Sequence, residues 1–350
     1  PYGYEKLSAA GLAYLIAQEM SNSNKDLAKI AVIGNVGDMM AREHGCLVGP
    51  AREIVEDGVA SGGIEARKGD LNCFGTSTRP IHLCLSYSGD LQIAGISNNS
   101  QGAMRFLKKL NVPLQDSNGR WLVWEELPLD VRRRVTSALV EQCIACGESP
   151  ARLFNETYLF PTEPPRTPLR NASEFATLLN ACGRWARPEV GSAVCRDNRT
   201  TAYREAERML SSHRAAIREL LQYILDSGVE ELSHLQFIHV GNRFPDTIVG
   251  IGAGMALPRL NPGKPILILC QLPEDPVLTK VSMRTTDRMV GLGIDLQKAL
   301  IDASSEIGGA GGGHRIAAGA FIRKEHEVVF IERVNRLLAG QYAAKGQGHS

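Results

Sequence analysis

Five glycines fall within the six residues 308–313, and a histidine, His314, follows them directly. Glycine loses more backbone freedom on folding than any other residue, so such a run needs a reason. Successive glycine N–H groups can turn toward one point and form a concave anion site. His314 adds a ring N–H, or a cation when protonated. Phosphate or carboxylate binding is one reading of the run, and a flexible loop is the other. The run is not a Walker A sequence, which needs Lys-Ser or Lys-Thr after the glycines. Nor is it a dinucleotide fingerprint, because helical text precedes it where a strand should stand.

Other residues carry chemistry of the same kind. Arg284 in KVSMRTTD follows strand-like text, and a guanidinium grips phosphate with two parallel hydrogen bonds. A surface salt bridge is its alternative. Asp38 in GNVGDMM follows an apolar run and suits a Mg2+ or Mn2+ ligand. A helix N-cap would use an Asp equally well. From Arg184 to Arg218 there are eight arginines against four acids, with Trp185 and Tyr203 among them. Basic residues interleaved with aromatics can follow a single-stranded backbone, and Arg184 and Arg187 are the candidate contacts. A solvated, charged helix face is the alternative for most of them. Cys143 and Cys146 form a C-x-x-C pair without a second pair or a histidine at ligand spacing, so they read as structural. No nucleophile-elbow pattern supports a Ser or Cys hydrolase.

The bulk numbers exclude several classes. The chain has 350 residues, enough for two or three domains. Its formal charge of +1 gives no global pull toward nucleic acid or membrane, so any polyanion site must be a local patch. No apolar run reaches the roughly 18 residues that a membrane span needs, and no signal peptide opens the chain. The scattered cysteines fit a reducing cytoplasm.

These residues need elements to position them. Residues 7–20 have helical spacing. Ile30–Ile33 read as a buried strand ending in a glycine turn, where ligands collect in α/β sheets. Residues 41–65 read as helix and loop, with strands at 79–87 and 91–96. From 98 to 185 the text is mostly helical, broken by a proline-rich connector at 160–168. Asn171 or Ser173 caps a helix whose apolar face is Phe175, Leu178 and Leu179. Tyr203, Leu210, Ile217 and Ile224 recur every seven residues and predict a long helix over 200–227, a strut between domains. A compact α/β unit follows. Strands are expected at 234–240, 265–272, 277–285 and 316–322, and helices at 246–257, 293–308 and 327–338.

GGGHRIAAGAF resembles the last motif of the DHH phosphoesterase superfamily, and KVSMRTT resembles the strand upstream of it. IAVIGNVGDMM is similar to that superfamily's third N-terminal motif. LSYSGDLQIAGISNNSQGAMRFLKKLNV and EFATLLNACGR resemble its archaeal RecJ-like branch, which includes a nuclease associated with the GINS replication complex. The likeness spans about residues 5–340. It implies a metal-dependent exonuclease on single-stranded DNA or RNA, acting in replication or repair. Two Mn2+ or Mg2+ ions would activate a water and steady the leaving oxygen. Asp38 would be the shared metal ligand and, with His314, catalytic. Ser282, Arg284, Gly311, Gly312, Gly313 and His314 would hold substrate phosphate.

The superfamily's Asp-x-Asp and Asp-His-His motifs are missing upstream of Asp38, and Asp38 alone cannot hold two metals. The chain opens on Pro1 and reads as truncated, so the segment by itself is expected to be inactive. Two alternatives stand beside the nuclease: a non-catalytic replication scaffold that binds GINS-type partners, and a phosphoesterase for dinucleotides or small oligonucleotides. The fold class is α/β. Residues 1–75 would be the remainder of a parallel-sheet DHH domain, and 76–199 an inserted, mostly helical region. A long connecting helix would fill 200–232. Residues 233–340 would form a smaller C-terminal α/β domain with a mixed sheet, and 341–350 a flexible tail.

Overall fold

The computed structural model describes residues 7–87, 93–147 and 149–346. The chain is α/β and divides into two compact units, Pro1–Leu210 and Ser211–Ser350.

Unit 1 begins with three helices, α1 (Ala9–Met20), α2 (Ala28–Gly37) and α3 (Pro50–Ala60). The strand expected over Ile30–Ile33 is therefore a helix. A short apolar run does not by itself distinguish the two. Here burial of Ala28, Ala31, Val32 and Asn35 follows a helical stripe. The glycines of this motif serve packing. A Cβ on Gly34 would lie 2.4 Å from Ala10 Cβ of α1. Fully buried Asn35 accepts from the Ser8 N–H at 3.2 Å and the Ser8 hydroxyl at 2.7 Å, which ties down the start of α1.

Strand β1 (Glu65–Leu71) pairs antiparallel with β2 (Phe154–Leu159). This two-stranded ladder is the sheet of unit 1 among the described residues, so the parallel strands expected there are not among them. Between the two strands lie α4 (Ile81–Ser86), α5 (Ser100–Lys109) and α6 (Leu129–Ala145). The strand expected at 79–87 is thus α4. Pro80 takes its N-cap position, where a missing N–H costs nothing. Of the strand expected at 91–96, residues 91 and 92 lie outside the described residues and the rest is turn. These helices enclose a core of their own around Leu85, Leu107, Trp124 and Leu139. The other core of unit 1 takes in α1 to α3, α7 (Ala172–Arg184) and α8 (Pro188–Cys195). Asn171 caps α7, accepting from the Ser173 N–H at 2.9 Å. Glu174 of α7, fully buried, accepts from the Ser77 N–H at 2.9 Å and from the Thr78 hydroxyl.

The long helix α9 covers Thr201–Ser227. Ala206 and Leu210 belong to the unit 1 core, and Ile217, Leu220 and Ile224 to a core of unit 2.

Unit 2 continues with β3 (Glu230–Glu231), β4 (Gln236–His239), α10 (Asp246–Ala256), β5 (Ile266–Gln271) and β6 (Leu278–Arg284). Then come α11 (Asp287–Gly291), α12 (Leu296–Ser305), β7 (Ala310–Gly313), β8 (Ala317–Arg323) and α13 (Glu327–Gly346). The strands form one mixed sheet in the order β3-β4-β5-β6-β8-β7, with β4 and β5 parallel and the other neighbours antiparallel. One face packs Val281, Met283, Ala318 and Ala320 against Leu300, Phe330 and Val334 from α12 and α13. The other packs Ile266, Ile268 and Cys270 against Val249 and Ala253 of α10 and against α9. Each such fully buried aliphatic or aromatic side chain contributes about 1.5–3 kcal/mol. Of the tail expected at 341–350, residues 341–346 continue α13 and 347–350 lie outside the described residues. Among the described residues no helix is long and apolar enough to cross a membrane.

Candidate functional site

The glycine run is not a loop. Residues 310–313 form β7, the edge strand, paired to β8 in the register Gly311↔Ala320, Gly312↔Gly319 and Gly313↔Ala318. Extended strand geometry replaces the inward-turned nest that the run suggested. Close approach explains the composition. Gly308 has φ 69° and ends α12, with the Gly309 N–H on the Ser304 carbonyl at 2.9 Å. A Cβ on Gly311 would lie 2.5 Å from the Leu300 carbonyl oxygen of α12. One on Gly313, at φ 132°, would lie 2.6 Å from the Ala317 carbonyl oxygen. Gly312 differs: a Cβ there meets nothing within 4 Å.

His314 closes the β7–β8 hairpin. Its N–H donates to the Ala317 carbonyl at 2.8 Å, and the Ala317 N–H returns to the His314 carbonyl at 3.2 Å. The two-residue turn, Arg315 and Ile316, is held from outside. The Leu296 N–H reaches the Arg315 carbonyl at 3.0 Å and the Thr285 N–H the Ile316 carbonyl at 3.1 Å. The His314 side chain is exposed.

Side chains alternate along a strand, so Lys280, Ser282 and Arg284 share one face of β6. Ser282 pairs with Gly319 and Arg284 with Ala317, which puts Ala317, Gly319 and Phe321 of β8 on that face. Gly312 and Ala310 of β7 extend it. The result is a shelf of small residues with side-chain chemistry along one side. Helix α10 covers the β6 side. A Cβ on Gly250 would lie 2.5 Å from Arg284 Nη2, so the guanidinium lies against the bare backbone of α10. Arg284 Nη1 also donates to the Met283 carbonyl at 2.8 Å. Lys280 Nζ sits 2.7 Å from Asp246 Oδ2 and 5.7 Å from the ring centroid of Phe321. Phe321 is 44% exposed, which is high for a phenylalanine and leaves its ring available. Beside Arg284, the buried Thr285 hydroxyl has no hydrogen-bond partner among the described residues.

The structure thus brings Ser282, Arg284, Gly312 and His314 into one sheet and its terminal hairpin. Lys280, Phe321, Gly319 and Gly250 join them. The alternation in KVSMR could have flagged Lys280. Nothing in the sequence marked Gly250, whose role depends on helix packing.

Asp38, Arg184 and Arg187 belong to unit 1. Asp38 is the C-cap of α2, exposed, and its N–H donates to the Gly34 carbonyl at 2.9 Å. It is neither at a strand end nor an N-cap. Arg184 ends α7, and Arg187 pairs with Glu189 and, at 2.9 Å, with Glu205. Among the described residues no group of three or more His, Cys, Asp or Glu side chains could hold a metal ion. A two-metal centre on Asp38 therefore lacks its donors in these residues. Cys143 is buried and Cys146 exposed, with no metal-binding company.

A mixed sheet backed by helices on both faces, with Arg284 and a row of small residues at one end, makes unit 2 an α/β domain. The comparisons with known proteins name it. Residues 73–155 match the DHH-CID domain and residues 237–340 the DHHA1 domain. The chain thus carries two domains of the DHH superfamily. An uncharacterized protein, MJ0831, of Methanocaldococcus jannaschii is 23% identical over 339 residues, 97% of this chain and 69% of the relative. The fold is similar to that of CDC45 from Entamoeba histolytica, at a TM-score of 0.59 and 11% identity, covering 94% of this chain and 72% of the other. A structure of exonuclease RecJ bound to manganese aligns with a TM-score of 0.49 at 15% identity, over 97% of this chain and 63% of the other.

Proposed function

We propose that unit 2 grips the phosphate backbone of single-stranded DNA or RNA. The observation that supports this most is the open space at Gly312, on the sheet face that also carries Gly319, Ser282 and Arg284. A backbone phosphate on the shelf comes within reach of the Arg284 fork and the Ser282 hydroxyl, and His314 adds a donor from the hairpin. Exposed Phe321 offers a base a stacking face, with Lys280 adding positive charge. Binding of this kind weakens with salt, because bound counterions are released from the strand.

The family likeness extends the proposal to a phosphodiester hydrolase, an exonuclease of replication or repair in an archaeal cytoplasm. The RecJ structure above holds manganese, and Mn2+ or Mg2+ is the metal class that such a reaction would use. The described residues do not provide the donors for it. On this proposal the chain by itself binds a strand without cutting it. Release of nucleotides from a labelled single strand in Mn2+ would contradict this. Fluorescence anisotropy of a labelled, 5′-phosphorylated oligonucleotide tests the binding. Arg284→Ala is expected to weaken binding about tenfold or more, the scale of one charge-assisted contact. An unchanged affinity refutes the assignment.

A second reading is a scaffold that keeps partner binding without catalysis, with a GINS-type complex as the partner. Co-purification of a GINS-type complex by a chain with no nuclease activity would support the scaffold. A phosphoesterase for dinucleotides would use the same shelf, and competition by a dinucleotide against the oligonucleotide separates the two.

A further inference from the structure

Helix α10 carries glycine at three alternate positions, Gly250, Gly252 and Gly254. A glycine inside a helix costs stability relative to alanine, so each position asks for a reason. Gly252 has an ordinary one. A Cβ there would lie 2.4 Å from Leu220 Cδ2, so its absence lets α9 pack close. Gly254 is the opposite case, because a Cβ there meets nothing within 4 Å.

Gly250 differs from both. A Cβ on it would lie 2.5 Å from Arg284 Nη2, 3.2 Å from Cζ and 3.5 Å from Nη1, all atoms of one guanidinium. The fold dictates this meeting. Ile266, Ile268 and Cys270 of β5 pair with Arg284, Ser282 and Lys280 of β6, so all of them share one face of the sheet. Helix α10 packs on that face through Val249 and Ala253. Asp246 and Gly250 stand one turn apart on the flank of α10 toward β6. Asp246 ties down Lys280 with its carboxylate at 2.7 Å. Gly250 makes room for Arg284 by having no side chain, and the Met283 carbonyl, 2.8 Å from Nη1, fixes the other nitrogen.

The consequence is mechanical. A clash with backbone is relieved only by moving a helix or a strand. A clash with the end of an arginine is relieved by swinging that end away. A methyl group at position 250 therefore leaves the packing of α10 intact and displaces the Arg284 fork. An arginine grips phosphate through parallel hydrogen bonds at a fixed geometry, so a displaced fork keeps its charge and loses its grip.

We infer that Gly250 is a positioning residue of unit 2, whose bare backbone sets where the Arg284 fork meets a phosphate. This rests on the reading of the shelf as a phosphate site, and the test keeps the two apart. Anisotropy of the 5′-phosphorylated oligonucleotide is measured on the whole chain as wild type, Gly250→Ala, Gly254→Ala, Arg284→Ala and the double variant Gly250→Ala with Arg284→Ala. Each is also melted. Both glycine variants are expected to melt at or above the wild-type midpoint, since alanine is the better helix former. Gly250→Ala is expected to weaken binding about fivefold, part of the loss that follows removal of one charge-assisted contact, and Gly254→Ala to leave it unchanged. In the double variant Gly250→Ala is expected to add nothing to the loss from Arg284→Ala, because no fork is left to displace. A glycine that served the helix alone would weaken both backgrounds alike. The inference is overturned if Gly250→Ala binds like the wild type while Arg284→Ala binds weakly, a result that spares the shelf. It is equally overturned if Gly250→Ala melts below the wild type, if Gly254→Ala weakens binding as much, or if the two losses add in the double variant. Wild-type affinity in Arg284→Ala refutes the shelf itself and the inference with it.

Discussion

Gly312 and Gly319 face each other directly across β7 and β8, and neither has a side chain to fill the space above the sheet. Ser282 is the next residue in the same row, across β8. Three adjacent strands thus present a hydroxyl and two bare backbones on one line, with Arg284 at the end of β6. Gly311, one residue away, is bare for a different reason, because α12 presses against it.

That difference separates stability from binding. A Cβ on Gly311 would lie 2.5 Å from a backbone oxygen, which only movement of α12 can relieve. Gly311→Ala is expected to cost about 1–3 kcal/mol, read as a lower midpoint in thermal unfolding. Gly312→Val places its branches in open space and is expected to leave that midpoint nearly unchanged. It fills the shelf and is expected to weaken oligonucleotide binding. Equal destabilisation by the two variants would show that the shelf is packed, not open.

Arg284 and Lys280 are expected to separate by their response to salt. Arg284→Lys keeps the charge but loses the planar fork, so the salt slope of binding should hold while affinity falls. Lys280→Ala removes a cation already paired with Asp246 and is expected to have the smaller effect on affinity. Affinity measured across a salt series in each variant checks both statements.

Asp38 provides a test in unit 1. As an exposed C-cap without a donor cluster, it is expected to bind no Mn2+ tightly in this chain. Equilibrium dialysis of the wild type and Asp38→Asn should give the same weak uptake. Saturable Mn2+ binding lost in the variant would restore Asp38 as a ligand.

Glu163 gives unit 1 a pH dependence. Burial raises its pKa, but Arg199 and Lys29 outweigh burial and hold the carboxyl below its ordinary value of 4.5. Its stabilising effect is therefore complete above 4.5 and disappears as pH falls through the lower folded value. Glu163→Gln leaves two cations facing a neutral group and is expected to cost about 3 kcal/mol at neutral pH. The gap in melting temperature between variant and wild type should narrow as pH drops below 4.5. A gap that is constant with pH contradicts the ionic account.

Much of unit 2 was legible in the sequence. The heptad spacing of Tyr203, Leu210, Ile217 and Ile224 predicts the helix found at Thr201–Ser227. The strand-like stretches VLTKVSMRT and IAAGAFI predict β6 and β8. Unit 1 was harder to read. Ile30–Ile33 is apolar and short enough for either element, and its packing against α1, α3 and α7 is what fixes it as a helix. Strands β1 and β2 were missed because their partner lies far along the chain and β1 is polar, with Arg67, Lys68 and Asp70 in it. The glycine run is conspicuous only in its composition. Its role as an edge strand depends on α12, which composition does not reveal.

The central claim is that the shelf beside Arg284 receives a single-strand phosphate. Anisotropy of a 5′-phosphorylated oligonucleotide with the wild type, Gly312→Val and Arg284→Ala, each shown to melt like the wild type, tests it most directly. The expected result is saturable binding by the wild type and about tenfold or greater weakening in both variants. Undiminished binding by both, with the fold intact, contradicts the claim.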